Sequence, residues 1–499
     1  MNFLVLIEAL GNMARLDVLA IMVVGIFVGL LFGVIPGISG ITAISILLSF
    51  MWGMDPVLAL TFILAVNSAT SQGGSVTSIL LNVPGDATNA ATLLDGYPMA
   101  QKGMASRALG IVLTGSAVGG LFGGLVLLSI LPVMKVVVMS FGSPETFMLI
   151  LLGLIFTALI ARTTLLKGFI AGCLGLILSF FGLQQATAVS RFDFNCMYME
   201  DGIQLIPLIL GIFAIPEVID MMVEGETSVQ SSGFTQKASD TIEGVKDVFR
   251  NIGLTLRCST IGTIVGFVPG LGAGAATFMA YAHAKQTSKH PEQFGTGAIE
   301  GVIGPESASN AKEGSALVTT LGFGIPASAG TALLLSGFLV VGIQPGPKML
   351  TENLHLSVWL GWTAIIANVG SSFLMLLTAR QMTKILYLHV RFLGPLVLAA
   401  VAIGSFSNRG TFLDVLMTFA FGAIGYGAAK AGYPRVPIVL GFILGKMAET
   451  YFLISVSAFG PFFFLKPISL CILAVILLTV AYEIRSRIRL RRKGVIASA

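Results

Sequence analysis

Long apolar runs without any charge dominate the pattern of hydrophobic and polar positions along this 499-residue chain. Four of them contain no Asp, Glu, Lys or Arg, and they cover residues 18–54, 108–134, 314–347 and 353–379. A helix that crosses a bilayer needs about 20 predominantly apolar residues. The pattern therefore predicts an all-α, polytopic helical membrane protein.

Composition excludes several other classes. The chain is 55% hydrophobic and only 11% charged, whereas soluble domains carry about 25% charged residues. The four cysteines lack metal-ligand spacing, and none of the four histidines lies in an H-E-x-x-H pattern. No nucleotide-binding loop is present either. We therefore expect no enzyme activity, no metal and no cofactor, and an energy source in an ion gradient or another subunit.

A pattern of glycine and proline occurs twice. G-x-x-x-G-x-x-P-G spans residues 29–37 and again residues 262–270, which are 233 positions apart (262 − 29, 270 − 37). Duplicated, broken apolar helices are typical of secondary transporters built from internal repeats. Close helix packing through Gly29, Gly33, Gly262 and Gly266 is the alternative interpretation. The candidate helix-break or hinge residues are Gly33, Pro36, Gly37, Gly266, Pro269 and Gly270.

The repeat divides the chain into segments. We predict an N-terminal amphipathic segment, a first membrane repeat, a polar linker loop, a second membrane repeat, an additional C-terminal helix and a basic cytoplasmic tail. Their ranges are 1–15, 16–220, 221–250, 251–452, 453–484 and 485–499. Short basic loops fall at alternating positions in the two copies, which favours inverted repeats. With paired broken or re-entrant hairpins included, about 11–14 membrane segments are expected.

The two hairpins, at about 57–100 and 298–347, have polar centres that are unusual in a membrane. Gly and Pro clusters break a helix, and the freed N–H groups suit a carboxylate while the freed carbonyls suit Na⁺. Close packing is the alternative role for the small residues. The candidate substrate- or ion-binding residues are Asn67, Ser68, Ser71, Gly73, Gly74, Ser75, Asn82, Pro84, Gly85, Asp86, Glu306, Ser307, Asn310, Gly314, Ser315, Pro326 and Ser328.

Four charges in these centres allow more than one interpretation. Asp86 follows a Pro-Gly break and is expected either to cap a helix or to act directly. Glu306 is a candidate proton or Na⁺ group, or an interfacial residue. Lys312 and Glu313 are expected to pair with each other, and Lys312 could also attract an anionic substrate.

Charge distribution predicts the orientation of the chain. Six of the basic residues lie at the very end, directly after an apolar run at 467–482. This arrangement indicates a cytoplasmic C-terminus facing anionic lipid headgroups, and it argues against nucleic acid as the partner behind the net charge of +5.

Longer motifs resemble a known family. The runs 78–87 (SILLNVPGDA) and 94–100 (LDGYPMA), together with Gly324-Ile-Pro326 and residues 344–347 (QPGP), resemble the large membrane subunit of bacterial tripartite tricarboxylate transporters. The resemblance implies a bacterial inner-membrane permease for carboxylates that is coupled to a Na⁺ or H⁺ gradient. It also implies two partners, a small membrane subunit of about four helices and a periplasmic solute-binding protein. Gln72 and Ala327 depart from the family pattern, so the substrate stays open.

Three other functions stay open at this point. A stand-alone ion-coupled organic anion carrier without partner subunits would show the same repeats and broken helices. A channel would conduct passively without accumulation. A membrane-embedded enzyme is disfavoured by the residue inventory.

Overall fold

The chain is α-helical almost throughout, in a computed structural model that describes residues 3–35, 38–159, 165–184, 189–224, 237–268, 272–382 and 390–492. The strands in this part are two short antiparallel segments, β1 (Gly182–Leu183) and β2 (Ser190–Arg191). The predicted all-α class is therefore confirmed.

The chain divides into two compact units, and each contains residues from both predicted repeats. The first unit comprises residues 1–135 and 204–427, and the second comprises residues 136–203 and 428–499. The helices that lie in or begin in the first unit are α1 (Phe3–Asn12), α2 (Leu16–Val34), α3 (Gly40–Leu48), α4 (Pro56–Leu81), α5 (Leu93–Gln101), α6 (Ala105–Met139), α10 (Leu205–Ile209), α11 (Ile215–Glu224), α12 (Ala238–Arg250), α13 (Ile252–Gly266), α14 (Gly272–Thr287), α15 (Ile299–Phe323), α16 (Ala329–Val340), α17 (Pro347–Thr351), α18 (Leu354–Met382), α19 (Val390–Arg409) and α20 (Phe412–Lys430).

The second unit is built around a long helix that packs on shorter ones. Its helices are α7 (Ser143–Leu159), α8 (Leu165–Ser179), α9 (Met197–Glu200), α21 (Arg435–Phe459) and α22 (Pro467–Arg492). α8 and α21 approach through Gly175 and Gly441, whose Cα atoms lie against the backbone of the facing helix. Arg191 forms a 2.8 Å ion pair with Glu449 and ties β2 to α21.

Seven of the described helices are long and apolar enough to cross a membrane, by length and composition. They cover Leu16–Val34, Pro56–Leu81, Ala105–Met139, Leu205–Val223, Leu354–Ala379, Phe412–Lys430 and Arg435–Phe459. The chain is therefore a polytopic helical membrane protein, as predicted. The expected total of 11–14 membrane segments stays a prediction, because six further apolar helices are shorter, with 10–17 residues each.

The predicted polar linker loop at 221–250 is largely helical where it is described. α11 extends to Glu224, and α12 covers Ala238–Arg250, so the prediction of a loop was wrong for these residues. Buried Thr241, Gly244 and Val248 recur at helical spacing and explain why a polar segment folds as an amphipathic helix. Residues 225–236 lie outside the described residues.

Equivalent helices of the two predicted repeats pack in the same way. In the first, Gly29 and Gly33 of α2 lie against the backbone of Val66 and Thr70 of α4. Both sets of positions advance together along the chain, so α2 and α4 run parallel. Glycine permits this approach because a Cβ at either position would collide with the facing backbone.

The second predicted repeat shows the same arrangement, in which Gly262 and Gly266 of α13 lie against Ala308 and Lys312 of α15. The packing interpretation of these glycines is confirmed. α2 ends at Val34 and α13 at Gly266, so the helices do end within about one residue of the second glycine. The other predicted hinge residues, Pro36, Gly37, Pro269 and Gly270, lie outside the described residues.

The glycine contacts define a register between α4 and α15. Val66 and Ala308 are 242 positions apart, and so are Thr70 and Lys312 (308 − 66, 312 − 70). Gly74-Ser75 of α4 and Gly314-Ser315 of α15 have the same two residues, but they are 240 positions apart (314 − 74) and therefore out of this register. Gly and Ser are frequent in both helices, so a two-residue identity could not fix the alignment.

The direction of α15 relative to the other core helices follows from α6. Gly119 and Gly123 of α6 lie against the backbone of Ser307 and Ala311 of α15. Each step of four residues along α6 matches a step of four along α15, so these two helices run parallel.

α18 runs antiparallel to α6. Gly120 lies against Asn368, while Gly124, four residues later, lies against Ile365, three residues earlier. The positions move in opposite directions along the two helices, so α18 also runs antiparallel to α15.

α4 and α18 run parallel. Trp359 Nε1 donates to Thr61 Oγ1 at 2.9 Å, and Asn368 Nδ2 donates to Ser68 Oγ at 3.2 Å, so the partners advance together. Because α18 opposes α15 in direction, α4 and α15 run in opposite directions.

Candidate functional site

Two helix breaks form the edges of the candidate site. α4 is followed by Asn82 at φ +59°, and α15 is followed by Gly324 at φ +69°. Both residues have the left-handed conformation that ends a helix, which glycine adopts without strain and asparagine tolerates. The 242-position register relates these two residues as well (324 − 82).

The segments after the two breaks have the same backbone conformation. Pro84 and Pro326 follow two residues after the left-handed position. Asp86 (φ −151°, ψ 169°) and Ser328 (φ −149°, ψ 170°) then start the next helical segment. Both predicted broken hairpins therefore contain a helix, a short extended break and a second helical segment.

The start of the second segment is capped in both hairpins. Asp86 Oδ1 accepts a hydrogen bond from the backbone N–H of Ala87 at 2.6 Å, which confirms the capping interpretation. Ser328 Oγ accepts from the backbone N–H of Thr331 at 3.3 Å, and the Thr331 hydroxyl accepts from the Ser328 N–H at 2.9 Å. This reciprocal capping box satisfies two N–H groups that the break leaves free.

Glu306 lies where the two predicted polar centres meet. Ser75 Oγ donates to Glu306 Oε1 at 2.9 Å and Thr92 Oγ1 donates to the same atom at 2.5 Å. Ser116 Oγ donates to Oε2 at 2.8 Å. Glu306 is 2% exposed, so its carboxyl group is shielded from water. It accepts its three hydrogen bonds from α4, from the segment after the first break and from α6.

Asn89 extends this cluster toward the first break. Its Nδ2 donates to Ser75 Oγ at 2.7 Å and to the Ser71 carbonyl at 3.1 Å. Its Oδ1 is buried and has no hydrogen-bond partner within the described ranges. Gly74 and Gly85 touch each other beside it, and a Cβ on either would prevent the chain from folding back onto α4.

A second polar chain links Asn310 to α4 through α18. Asn310 Nδ2 donates to Asn368 Oδ1 at 2.7 Å, and Asn368 Nδ2 donates to Ser68 Oγ at 3.2 Å. Gln72 Nε2 donates to the Asn368 carbonyl at 3.0 Å. Predicted residues from both hairpins thus meet through one asparagine that the sequence analysis did not single out.

Several predicted site residues instead serve packing or local hydrogen bonding. Gly73 lies against Gly33, and Gly314 lies against Gly123. Ser307 Oγ donates to the Ile303 carbonyl, and Ser315 Oγ donates to the Lys312 carbonyl. The serine hydrogen bonds stay within one helix, and the glycines allow two helices to pack closely.

The remaining predicted residues lie at the edge of the buried clusters. Asn67 is half-buried, with its Oδ1 beside Gly330 in the first turn of α16. Asn82 and Pro84 are exposed, whereas Pro326 is buried. The first break is therefore open to its surroundings and the second is covered by the protein.

Lys312 and Glu313 form the predicted local ion pair. Lys312 Nζ lies 2.5 Å from Glu313 Oε1, and the two side chains are 3% and 17% exposed. Where the structure is described, no three or more His, Cys, Asp or Glu side chains come together in a way that could hold a metal ion. The site consists of buried hydroxyls, amides and isolated charges, which can bind and release small ions without covalent chemistry.

Asp95 is a structural residue that the sequence analysis missed. Its Oδ1 accepts hydrogen bonds from the backbone N–H groups of Gly295, Gly297 and Ala298 at 2.7–2.9 Å. Its Oδ2 accepts from the Tyr281 hydroxyl at 2.9 Å. A carboxylate from α5 thus caps the start of α15, where the helix dipole favours negative charge.

The residues missed around Glu306 and Asn310 gave weak signals. Asn89 and Thr92 follow the first break, while Ser116 and Asn368 are two of several uncharged polar positions inside largely apolar runs. A hydroxyl or amide in such a run is compatible with helix packing. Only the fold brings these side chains to the carboxyl group and to Asn310.

Comparison with known proteins identifies a family and two relatives. Residues 19–440 match the Tripartite tricarboxylate transporter TctA family. An uncharacterized 52.8 kDa protein in the TAR-I ttuC' 3' region of Agrobacterium vitis is 34% identical over 490 residues, which cover 95% of this chain and 94% of that protein. An uncharacterized protein in the TAR-II ttuC' 3' region of the same organism is 34% identical over 242 residues, or 47% of this chain and 98% of that protein. No solved structure gives a significant match.

The family match covers most of the chain, and the first relative extends over nearly all of it. The family match agrees with the resemblance found in the motifs around the first break, and it implies a transporter rather than an enzyme. The chain belongs to the Tripartite tricarboxylate transporter TctA family.

Proposed function

We propose that this chain is the large permease subunit of a secondary, cation-coupled and binding-protein-dependent carboxylate importer. The observation that carries the proposal is the pair of helix breaks at Asn82 and Gly324. They share one conformation and follow α4 and α15, two helices that are joined through buried polar groups. In the proposed mechanism the substrate passes between these two broken hairpins near the midplane of the membrane.

The two halves are proposed to be inverted repeats. The opposite directions of α4 and α15 support this, since these helices hold equivalent positions in the two halves. Inversion would let one hairpin open to one side of the membrane as the other opens to the opposite side. The re-entrant character of the hairpins belongs to the same proposal.

Glu306 is proposed to bind the coupling cation, either H⁺ or Na⁺. Support comes from its burial, its three hydroxyl donors and its place between the two hairpins. An ionisable group inside a membrane protein is expensive and is usually retained for ion or proton movement. The hydroxyls of Ser75, Thr92 and Ser116 can donate to an ionised carboxylate or accept from a protonated one.

The proposed partners are a small membrane subunit and a periplasmic solute-binding protein that delivers the carboxylate. Membership of a tripartite family supports them. We place the complex in the bacterial inner membrane with the basic C-terminal tail in the cytoplasm, in accord with the charge bias of that tail.

Affinity purification tests the partners. The tagged full-length chain is extracted from its native membranes in mild detergent, and co-purifying proteins are identified by mass spectrometry. The proposal expects a stoichiometric small membrane protein, with or without a binding protein. Recovery of a folded, stable chain alone would contradict the tripartite assignment and favour a stand-alone carrier.

A further inference from the structure

Within the part of the chain whose side chains are described, Lys312 is the one buried basic residue. It lies in α15 between Glu306 and the second helix break, at the position equivalent to Thr70 of α4. A buried ammonium within a membrane protein is costly and indicates function by default. Close packing alone does not require it, since its equivalent in α4 is an uncharged threonine.

The ion pair of Lys312 and Glu313 is short but incompletely hydrogen-bonded. Glu313 is the next residue of the same helix and reaches Lys312 Nζ through Oε1. Glu313 Oε2 has no hydrogen-bond partner in the described parts of the chain. A buried ion pair offsets the loss of hydration only when its remaining hydrogen-bonding groups are also satisfied. This pair is therefore suited to exchange.

The helices around this pair pack closely through glycine. Gly266 of α13 lies directly against Lys312, and neighbouring Gly314 lies against Gly123 of α6, so a Cβ on either glycine would collide with the facing helix. α15 also contacts the segment after the first break, because Thr92 Oγ1 donates to Glu306 Oε1. The pair therefore lies on a helix that contacts both broken hairpins.

We propose that Lys312 recognises a carboxylate group of the transported substrate, and that this carboxylate replaces Glu313 as its partner. The inference rests on the proposed function and names the residue that gives it anion selectivity. A free carboxylate can turn both oxygens toward the three ammonium donors, which Glu313 cannot do from the adjacent position. The substrate class is an organic anion with at least one ionised carboxyl group.

Exchange of partners also couples substrate to cation. Once displaced, the Glu313 carboxylate has no ammonium partner, and the arriving substrate adds a second carboxylate, so substrate binding leaves excess negative charge at the site. A co-transported cation neutralises it. Lys312 thereby links carboxylate entry to cation entry without any covalent step.

Uptake into proteoliposomes tests the inference. The full-length chain is reconstituted with its co-purifying subunits and supplied with labelled acetate, succinate and citrate as separate probes. Glu313→Gln removes the carboxylate that competes with the substrate for Lys312. The half-saturating concentration of the transported probe should therefore fall by about tenfold. In Lys312→Gln/Glu313→Gln, which holds two neutral amides, uptake should fall by about 30-fold or more at low probe concentration.

Two outcomes overturn the inference. Wild-type uptake in the neutral double variant would show that the pair is only structural, because a satisfied neutral pair would then suffice. An unchanged or raised half-saturating concentration in Glu313→Gln would exclude exchange, and this variant decides the question even if the double variant does not reach the membrane. Lys348→Gln, an exposed lysine of α17, is the matched control and should transport normally.

Failure of the proposed function looks different. The wild-type complex would then take up none of the three probes, before any variant is compared, and both the function and this inference would be rejected. If the wild type takes up a probe but the variants give either of the overturning outcomes, only the role of Lys312 is rejected.

Discussion

Ser75 donates a 2.9 Å hydrogen bond to Oε1 of Glu306, a residue 231 positions further along the chain. This bond joins the polar centre of α4 to that of α15. Thr92 and Ser116 donate to the same carboxyl group from the segment after the first break and from α6. One buried carboxyl group is therefore a shared contact of the elements that must move if the two hairpins open alternately.

Glu306→Gln should uncouple transport from the cation gradient. The amide offers one acceptor oxygen and an NH₂ group where three hydroxyls now donate, and it neither takes up a proton nor carries negative charge. We expect gradient-driven uptake to fall at least about tenfold, while exchange of labelled for unlabelled substrate across the membrane continues. The measurement compares uptake under an imposed Na⁺ or H⁺ gradient with counterflow at zero gradient.

Glu300→Gln is the control for that variant, because Glu300 lies in the first turn of the same helix and accepts from Ser288 Oγ, away from the cluster. It should leave both rates unchanged. Full gradient-driven accumulation by Glu306→Gln would remove Glu306 from the coupling mechanism.

Asn82→Ala and Asn310→Ala should both impair uptake while leaving the amount of protein in the membrane normal. Asn82 holds a left-handed turn that alanine adopts at a cost of about 1 kcal/mol. Asn310 supplies the hydrogen bond to Asn368. Asn82→Gly separates conformation from chemistry, since glycine keeps the turn without the side chain. Normal uptake in both alanine variants would contradict a transport role for the hairpins.

Gly262→Ala should destabilise the packing of α13 on α15. Its new methyl group would collide with the backbone of Ala308, and overpacking of this kind costs about 1–3 kcal/mol. Gly253→Ala is the matched control on the same helix, because nothing lies within 4 Å of its added Cβ. The alanine there should leave stability unchanged or raise it slightly, given its higher helix propensity.

Thermal unfolding in detergent distinguishes the two glycine variants. The expected order of midpoints is Gly253→Ala at or above wild type and Gly262→Ala clearly below. Equal midpoints would show that α13 and α15 are further apart than described.

Asp95→Ala should destabilise the protein more than Asp55→Ala. Both aspartates cap a helix, but Asp95 is buried. Its loss leaves three backbone N–H groups without an acceptor, which should lower the free energy of unfolding by about 1–3 kcal/mol. Asp55 caps α4 at an exposed position, where water replaces the lost acceptor. Limited proteolysis and thermal unfolding report the difference. Similar effects of both substitutions would contradict the cap of α15 by α5.

Much of the fold could be predicted because it depends on local chemistry. Uncharged runs specify the long helices, and the glycine and proline clusters specify where α4 and α15 end. The capping role of Asp86 and the pairing of Lys312 with Glu313 are also contacts between near neighbours, so the sequence could indicate them.

Contacts between distant segments could not be predicted in the same way. Ser116 and Asn368 are two of several polar residues in largely apolar helices, and only tertiary packing brings them to Glu306 and Asn310. The α12 helix was missed because the segment is rich in polar residues, although the positions that it buries recur at helical spacing. The register between α4 and α15 required the glycine contacts, since repeated small residues allow several alignments.

Accumulation of a carboxylate against its own gradient tests the central claim most directly. Proteoliposomes that hold the chain with its co-purifying membrane subunit receive labelled acetate, succinate or citrate and the binding protein outside, with an inward Na⁺ or H⁺ gradient imposed. The account predicts that the internal concentration of at least one probe exceeds the external one, and that collapsing the cation gradient abolishes the excess. Equilibration without accumulation, or no uptake of any probe, would contradict it.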